Sequence, residues 1–216
     1  MLKFPCDNCG RIIEDICGEY CLSDDEGQVL EYTCPHCGET IKVASKKIRK
    51  IVFLDIDGVL NSEKWAVDFF KQKKHNNYTK YGFDHGLDPK AVELIDKIND
   101  AVDGGIELII SSSWRWTMDD TVQRLRKQGL KCPVAGPLTS PPGKDEHEDF
   151  ICRGMVIYQW LSKQGLNMFN EDDYRYVIID DDEDMLYSQR HNFIHTSYRD
   201  GLTEAGAQRA ISILNS

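Results

Sequence analysis

IVFLDIDGVLN, residues 51–61, opens with four consecutive apolar residues and then turns abruptly polar. An apolar run of that length fits a strand buried on both faces. Asp55 and Asp57, one residue apart, leave the pleat on the same side, and Gly58 permits the sharp turn that follows. Two carboxylates so close repel each other unless a divalent cation lies nearby. One can attack phosphorus while its neighbour handles a proton, so the stretch points to phosphoryl transfer.

Outward from this strand, short apolar runs alternate with amphipathic helices, which predicts a parallel sheet with crossover helices. Further strands are expected at Ile106 to Ile110, Tyr176 to Ile179 and Asn192 to His195. Asp88 followed by Pro89 is an N-cap with proline in the first turn. Ala91, Leu94, Ile95, Ile98 and Val102 then keep one apolar face as far as Gly104. Thr117 opens a second helix through a Thr-x-x-Asp capping box, Ile157, Trp160 and Leu161 mark a third, and Thr203 to Leu214 a fourth.

Composition bounds the rest. The 216 residues are 41% apolar and 29% charged, enough for one sizeable α/β domain and an appendage. No apolar stretch is long enough to span a bilayer, and MLKFPCDNCG lacks a signal-peptide core, so a soluble, cytoplasmic protein without membrane partners is expected. The net charge of −10 argues against a broad electrostatic grip on nucleic acid.

Six of the eight cysteines fall within the first 37 residues, and four form two CxxC pairs, Cys6/Cys9 and Cys34/Cys37. Thiolates three residues apart on a tight turn can reach one ion, and two such turns complete a tetrahedral S₄ site. This resembles a structural zinc ribbon over residues 1–45. Cys17 and Cys21 either replace one pair or lie in the intervening hairpin; His36 reads as a bystander, and Cys132 and Cys152 as inert thiols. SKKIRK, residues 45–50, is a basic bridge into a second domain over residues 50–216. The ribbon's acidic SDDEGQVLE stretch disfavours DNA and leaves a protein partner open.

Polar clusters follow three of the apolar runs: Asp55 and Asp57, Ser111 to Ser113, and Asp180 to Asp182 with Asp184. Three such clusters at successive strand ends point to one shared site at the crevice of an open α/β sheet. Their order resembles the haloacid dehalogenase (HAD) superfamily of phosphohydrolases: DIDGVLN the first motif, LIISSSWR the second, Arg153 the third, VIIDDDEDM the fourth. DGVLN, SSWR, an Arg before a WL-containing helix, DDxxDM and a late GLT (201–203) further resemble the HAD domains of Swiss Army Knife RNA-repair proteins.

The resemblance implies a Rossmann-like parallel sheet with helices on both faces. It also implies that Asp55 is a nucleophile forming an aspartyl-phosphate and that Asp57 is the acid and base. Mg²⁺ would be held by Asp55, the Asp57 backbone carbonyl and one or both of Asp180 and Asp181. Ser111, with Ser112 as rival register, would bind a phosphoryl oxygen; Arg153, with Lys144 as rival, would orient the phosphate. Trp114 is either core or a base-stacking surface beside a phosphate-binding Arg115. Residues 62–85, with five lysines from Lys64 to Lys80, form an insert too small for a full cap domain. The expected function is a Mg²⁺-dependent phosphomonoester hydrolase for nucleic-acid ends or nucleotides. The alternatives are a phosphatase of small metabolites or phosphoproteins and a non-catalytic zinc-ribbon adaptor.

Overall fold

A computed structural model of the chain describes residues 3–14, 20–21, 29–44, 48–73, 86–139, 151–166 and 174–216. The chain divides into two units, Met1–Ile48 and Arg49–Ser216. In the first, β1 (Lys3–Pro5) pairs antiparallel with β2 (Ile12–Glu14), and β3 (Tyr20–Cys21), β4 (Val29–Thr33) and β5 (Thr40–Ala44) form an antiparallel meander.

The second unit is organised around β6 (Arg49–Leu54), whose last four residues are buried on both faces as their unbroken apolar character requires. β6 pairs in parallel with β7 (Glu107–Ile110) on one side and β9 (Tyr174–Asp180) on the other. β8 (Val134–Pro137) and β10 (Phe193–His195) complete a five-stranded parallel sheet in the order β10-β9-β6-β7-β8. The helices are α1 (Glu63–Lys73), α2 (Pro89–Ala101), α3 (Met118–Lys127), α4 (Arg153–Lys163) and α5 (Glu204–Leu214). None of the described helices is long and apolar enough to cross a membrane.

Pleating sends alternate residues of β6 into two cores. Val52 and Leu54 join Ile95 of α2, Leu125 of α3 and Ile211 of α5, whereas Ile51 and Phe53 join Ile157, Trp160 and Leu161 of α4. Helices therefore cover both faces of the sheet. Each fully buried Leu, Ile, Val or Phe contributes on the order of 1.5–3 kcal/mol.

Three local details depart from expectation. β6 begins at Arg49, inside the stretch read as a linker, because both basic residues find partners: Arg49 donates to both Glu107 oxygens at 2.7 and 2.6 Å, and Lys50 donates to the Leu214 carbonyl at the end of α5. β8 is a strand despite its Gly and Pro, being the edge strand, where a missing donor is tolerated. Thr117 precedes α3 but makes no capping bond; its hydroxyl donates to the Trp114 carbonyl at 3.4 Å. Asp88 does cap α2, accepting from Lys90 N at 2.9 Å, and Thr203 caps α5 through Gly206 N at 3.2 Å.

Candidate active site

From β6 the chain steps through β7 to β8 and then returns to β9 on the opposite flank, which makes the β6–β9 boundary the switch point. Single backbone bonds extend the ladder past the strand ends: Asp55 N donates to Ile179 O and Ser111 N to Leu54 O, both at 2.9 Å. Asp55 and Ser111 are thereby fixed on the carboxyl rim while still buried.

Carboxylate oxygens of Asp55, Asp180 and Asp181 lie within 4.8 Å of one another. Asp180 is fully buried and Asp55 nearly so, and burial drives the acid pKa values up, to about 7 for Asp55, where the charge of Asp180 adds, and to about 6 for Asp180. Asp181 is also raised, by burial and then by Asp182. Gly58 turns the first loop with φ of +72°, and a Cβ there would overlap the Asp181 carboxylate. Only glycine lets the two loops meet so closely.

Arg153, at the start of α4, donates from Nη1 to Asp55 Oδ1 at 2.6 Å and to Asp180 Oδ2, and its Nη2 lies 3.6 Å from Asp182 Oδ2. Burial disfavours its charge, but Asp180 and Asp55 outweigh burial and raise its pKa. Asp184 sets its position by accepting from Arg153 N at 2.8 Å through its side chain and from Gly154 N at 3.2 Å through its carbonyl. The buried Gln189 amide braces the same joint, donating to Gly154 O at 2.9 Å and accepting from Leu186 N at 2.8 Å. Lys144 and residues 74–85 of the insert lie outside the described residues.

The serines are differentiated. Ser112 Oγ accepts from Trp114 N at 3.4 Å, whereas the buried Ser111 Oγ has no hydrogen-bond partner among the described residues. Arg115 turns back to donate from Nη1 to the carbonyls of Ser111 and Ser112 at 2.8 and 3.0 Å, and its guanidinium lies 4.5 Å from the Trp116 ring centre. Burial and then Arg153 lower its pKa. It therefore braces the serine turn through Nη1.

Asp57 stands apart from the three converging carboxylates. Its Oδ1 accepts from Asn61 Nδ2 at 2.6 Å and its Oδ2 from the indole Nε1 of Trp114 at 2.9 Å. Trp114 was expected as core or as a base-stacking surface; its ring does pack against the larger core cluster, but its polar edge is directed to Asp57. Asn61, which sequence reading did not single out, also accepts from Gly58 N at 2.9 Å and closes the turn. Its position at the end of DGVLN was the available signal. The late GLT packs on this loop: Leu202 N donates to Val59 O at 2.9 Å, and a Cβ on Gly201 would meet that same carbonyl.

Within the first unit, Cys6, Cys9, Cys34 and Cys37 bring their sulfurs within 4.8 Å of one another, with Cys6–Cys37 at 3.7 Å and Cys9–Cys34 at 3.8 Å. A tetrahedral ion with bonds of about 2.3 Å would place its four sulfurs about 3.8 Å apart, so the donor set is compatible with structural zinc. The two knuckles are built alike: Cys6 O accepts from Gly10 N at 2.7 Å and Cys34 O from Gly38 N at 2.8 Å. Among the described residues, His36 contributes its backbone N–H to Cys34 Sγ and no ring atom to the cluster. Cys17 and the side chain of Cys21 lie outside the described residues. Cys132 is buried, with its thiol pushed up to about 11 by burial and then by Asp96.

Residues 51–207 match the family model described as the HAD domain in Swiss Army Knife RNA repair proteins. The chain belongs to this family. Its HAD-family hydrolase domain spans the parallel sheet and every strand end described above. Among solved structures, a haloacid dehalogenase-like family hydrolase from Streptococcus pneumoniae is similar at 15% identity and a TM-score of 0.41, over 76% of this chain and 90% of that one. Curated proteins gave no match. The family match carries the assignment.

Proposed function

We propose that this HAD domain is a Mg²⁺-dependent phosphomonoester hydrolase that works through an aspartyl-phosphate on Asp55. The observation that carries this reading is the convergence of buried Asp55 and Asp180 with half-buried Asp181, all with raised pKa values, beside a buried serine hydroxyl without a partner among the described residues. Three hard oxygen donors whose charges are incompletely neutralised fit a hard divalent cation. Mg²⁺ held by these side chains and the Asp57 backbone carbonyl would supply charge neutralisation for a phosphoryl dianion.

The chain's own groups then have separable tasks. A carboxylate oxygen of Asp55 attacks phosphorus as the ester P–O bond breaks, and Asp57 gives its proton to the departing oxygen. Asp57 next takes a proton from water, whose oxygen attacks the same phosphorus and releases Asp55. Ser111 donates its hydroxyl to a phosphoryl oxygen, and Arg153 balances charge without ever serving as a base.

The family's description supports phosphorylated nucleic-acid ends or nucleotides as substrates. The short insert after the first motif supports the same class, because a site without a full cap domain admits large substrates. The test is Mg²⁺-dependent phosphate release from 4-nitrophenyl phosphate and from 3′- and 5′-phosphorylated oligonucleotides set against small phosphometabolites. Wild-type turnover that Asp55→Asn abolishes without unfolding the protein is expected. A wild-type protein inert on every ester overturns the reading in favour of a non-catalytic adaptor, and preference for small metabolites overturns the substrate class.

A further inference from the structure

We infer that Trp114 is a positioning residue for proton transfer, its indole N–H holding the Asp57 carboxyl in line with the leaving oxygen. This rests on the phosphomonoesterase reading above and adds to it a role for one N–H bond.

An exposed carboxylate at a turn ordinarily samples several rotamers. Asp57 is exposed, yet each of its oxygens receives a separate N–H, from Asn61 at 2.6 Å and from Trp114 at 2.9 Å. Both donors are themselves fixed. Asn61 accepts from Gly58 N through its other amide atom. The Trp114 carbonyl accepts the buried Thr121 hydroxyl at 2.8 Å, its N–H is held by Ser112 Oγ, and its ring packs on the core with the Arg124 guanidinium 5.6 Å from its centre.

Packing explains where the ring lies. It does not explain an indole N–H aimed at a solvent-facing carboxylate on a different strand end. An indole can only donate, so this contact fixes a carboxylate oxygen and offers no competing acceptor for its proton. With one N–H on each oxygen the carboxyl plane is set, and each oxygen keeps a lone pair for the proton it transfers. Proton transfer depends steeply on such alignment.

The step concerned forms the Asp55 O–P bond, breaks the P–O bond to the leaving group and moves a proton from Asp57 to that oxygen, giving an alcohol and the aspartyl-phosphate. An alkoxide needs the proton, whereas 4-nitrophenolate departs without it. Since kcat/KM reports events through departure of the alcohol, its ratio between an alkyl phosphate and 4-nitrophenyl phosphate isolates the proton.

Trp114→Phe keeps the ring and removes the N–H. We expect kcat/KM for a 3′-phosphorylated oligonucleotide to fall about tenfold or more, toward the 10²–10⁴ scale of general acid catalysis, with little change for the aryl ester. In an Asp57→Asn background the same substitution is expected to leave the ratio unchanged. An equal fall on both esters, or no fall, overturns the inference and assigns Trp114 to packing. Should Trp114→Phe not fold, the ¹H–¹⁵N indole resonance of Trp114 in wild type against Asp57→Ala decides. An upfield shift on loss of the carboxylate supports the contact, and an unmoved resonance overturns it. Wild-type inactivity on both esters sinks the parent reading instead, so the two failures are distinct.

Discussion

The Asp181 carboxylate fills the space that a methyl group on Gly58 would need. The first and fourth motifs thus touch through a residue without a side chain, in a backbone conformation that other residues adopt only with strain. Gly58→Ala should therefore displace Asp181 from its two partner carboxylates as well as cost about 1–3 kcal/mol in backbone strain. The Mg²⁺ concentration for half-maximal activity is expected to rise at least tenfold. If that concentration is unchanged while the melting temperature falls, Asp181 is not a ligand.

Arg153 bridges Asp55 and Asp180 with a side chain that is only 19% exposed. Arg153→Ala removes the counter-charge from two buried acids, a loss on the order of 3–5 kcal/mol, which is roughly 10 °C in melting temperature for a domain of this size. Added Mg²⁺ should restore much of that loss by supplying positive charge to the same oxygens. Arg153→Lys keeps one charge but cannot present the planar fork, so it should retain stability better than activity. Melting curves with Mg²⁺ or EDTA, alongside phosphate release, check both statements.

The raised acids make the metal-free protein pH-sensitive in a defined direction. Asp55 at about 7 and Asp180 at about 6 lie above the usual carboxylate value, so the folded state holds more protons than the unfolded chain between roughly pH 4 and pH 7. Their contribution to stability is complete below about pH 4, declines as pH climbs through 6 and 7, and levels off beyond. Asp55→Asn removes one of the two groups, so in EDTA it should melt higher than wild type at pH 8 and nearly with it at pH 5. Mg²⁺, which requires the ionised acids, should bind more weakly as pH falls over the same interval. Parallel melting profiles of the two proteins from pH 5 to 8 would contradict the shift.

The cysteine cluster predicts one zinc ion per chain. Cys34→Ser replaces a buried sulfur and should reduce bound zinc from one equivalent to near zero after mild chelation, read by elemental analysis. Retention of a full equivalent would mean that Cys17 or Cys21 completes the site.

Most of this architecture was legible because its signals are local. Four apolar residues ending in Asp-x-Asp-Gly announce a central strand and its polar exit, and the Asp88-Pro89 pair announces α2. What escaped is relational. β8, with Gly and Pro inside it, carries no strand pattern until it is seen to occupy an edge, and Arg49 and Lys50 read as linker until Glu107 and the end of α5 supply partners. Gln189 carries no signature of its own, and Asn61 and Asp184 stand inside DGVLN and DDxxDM without the motifs telling which backbone groups they meet across the fold. The difference between Ser111 and Ser112 likewise lies in the turn, where one hydroxyl oxygen accepts from Trp114 N and the other has no partner among the described residues.

The guanidinium bridge carries a final consequence for ion selectivity. With Asp55, Asp180 and Asp181 ionised, three negative charges share a small volume and one positive charge is built in, leaving a deficit of two. A single doubly charged ion cancels that remainder, a monovalent ion leaves half of it, and a second divalent ion overshoots. One divalent ion at the proposed Mg²⁺ site would thus balance these four side chains, in contrast to hydrolases that mount paired cations on a larger cluster of acids.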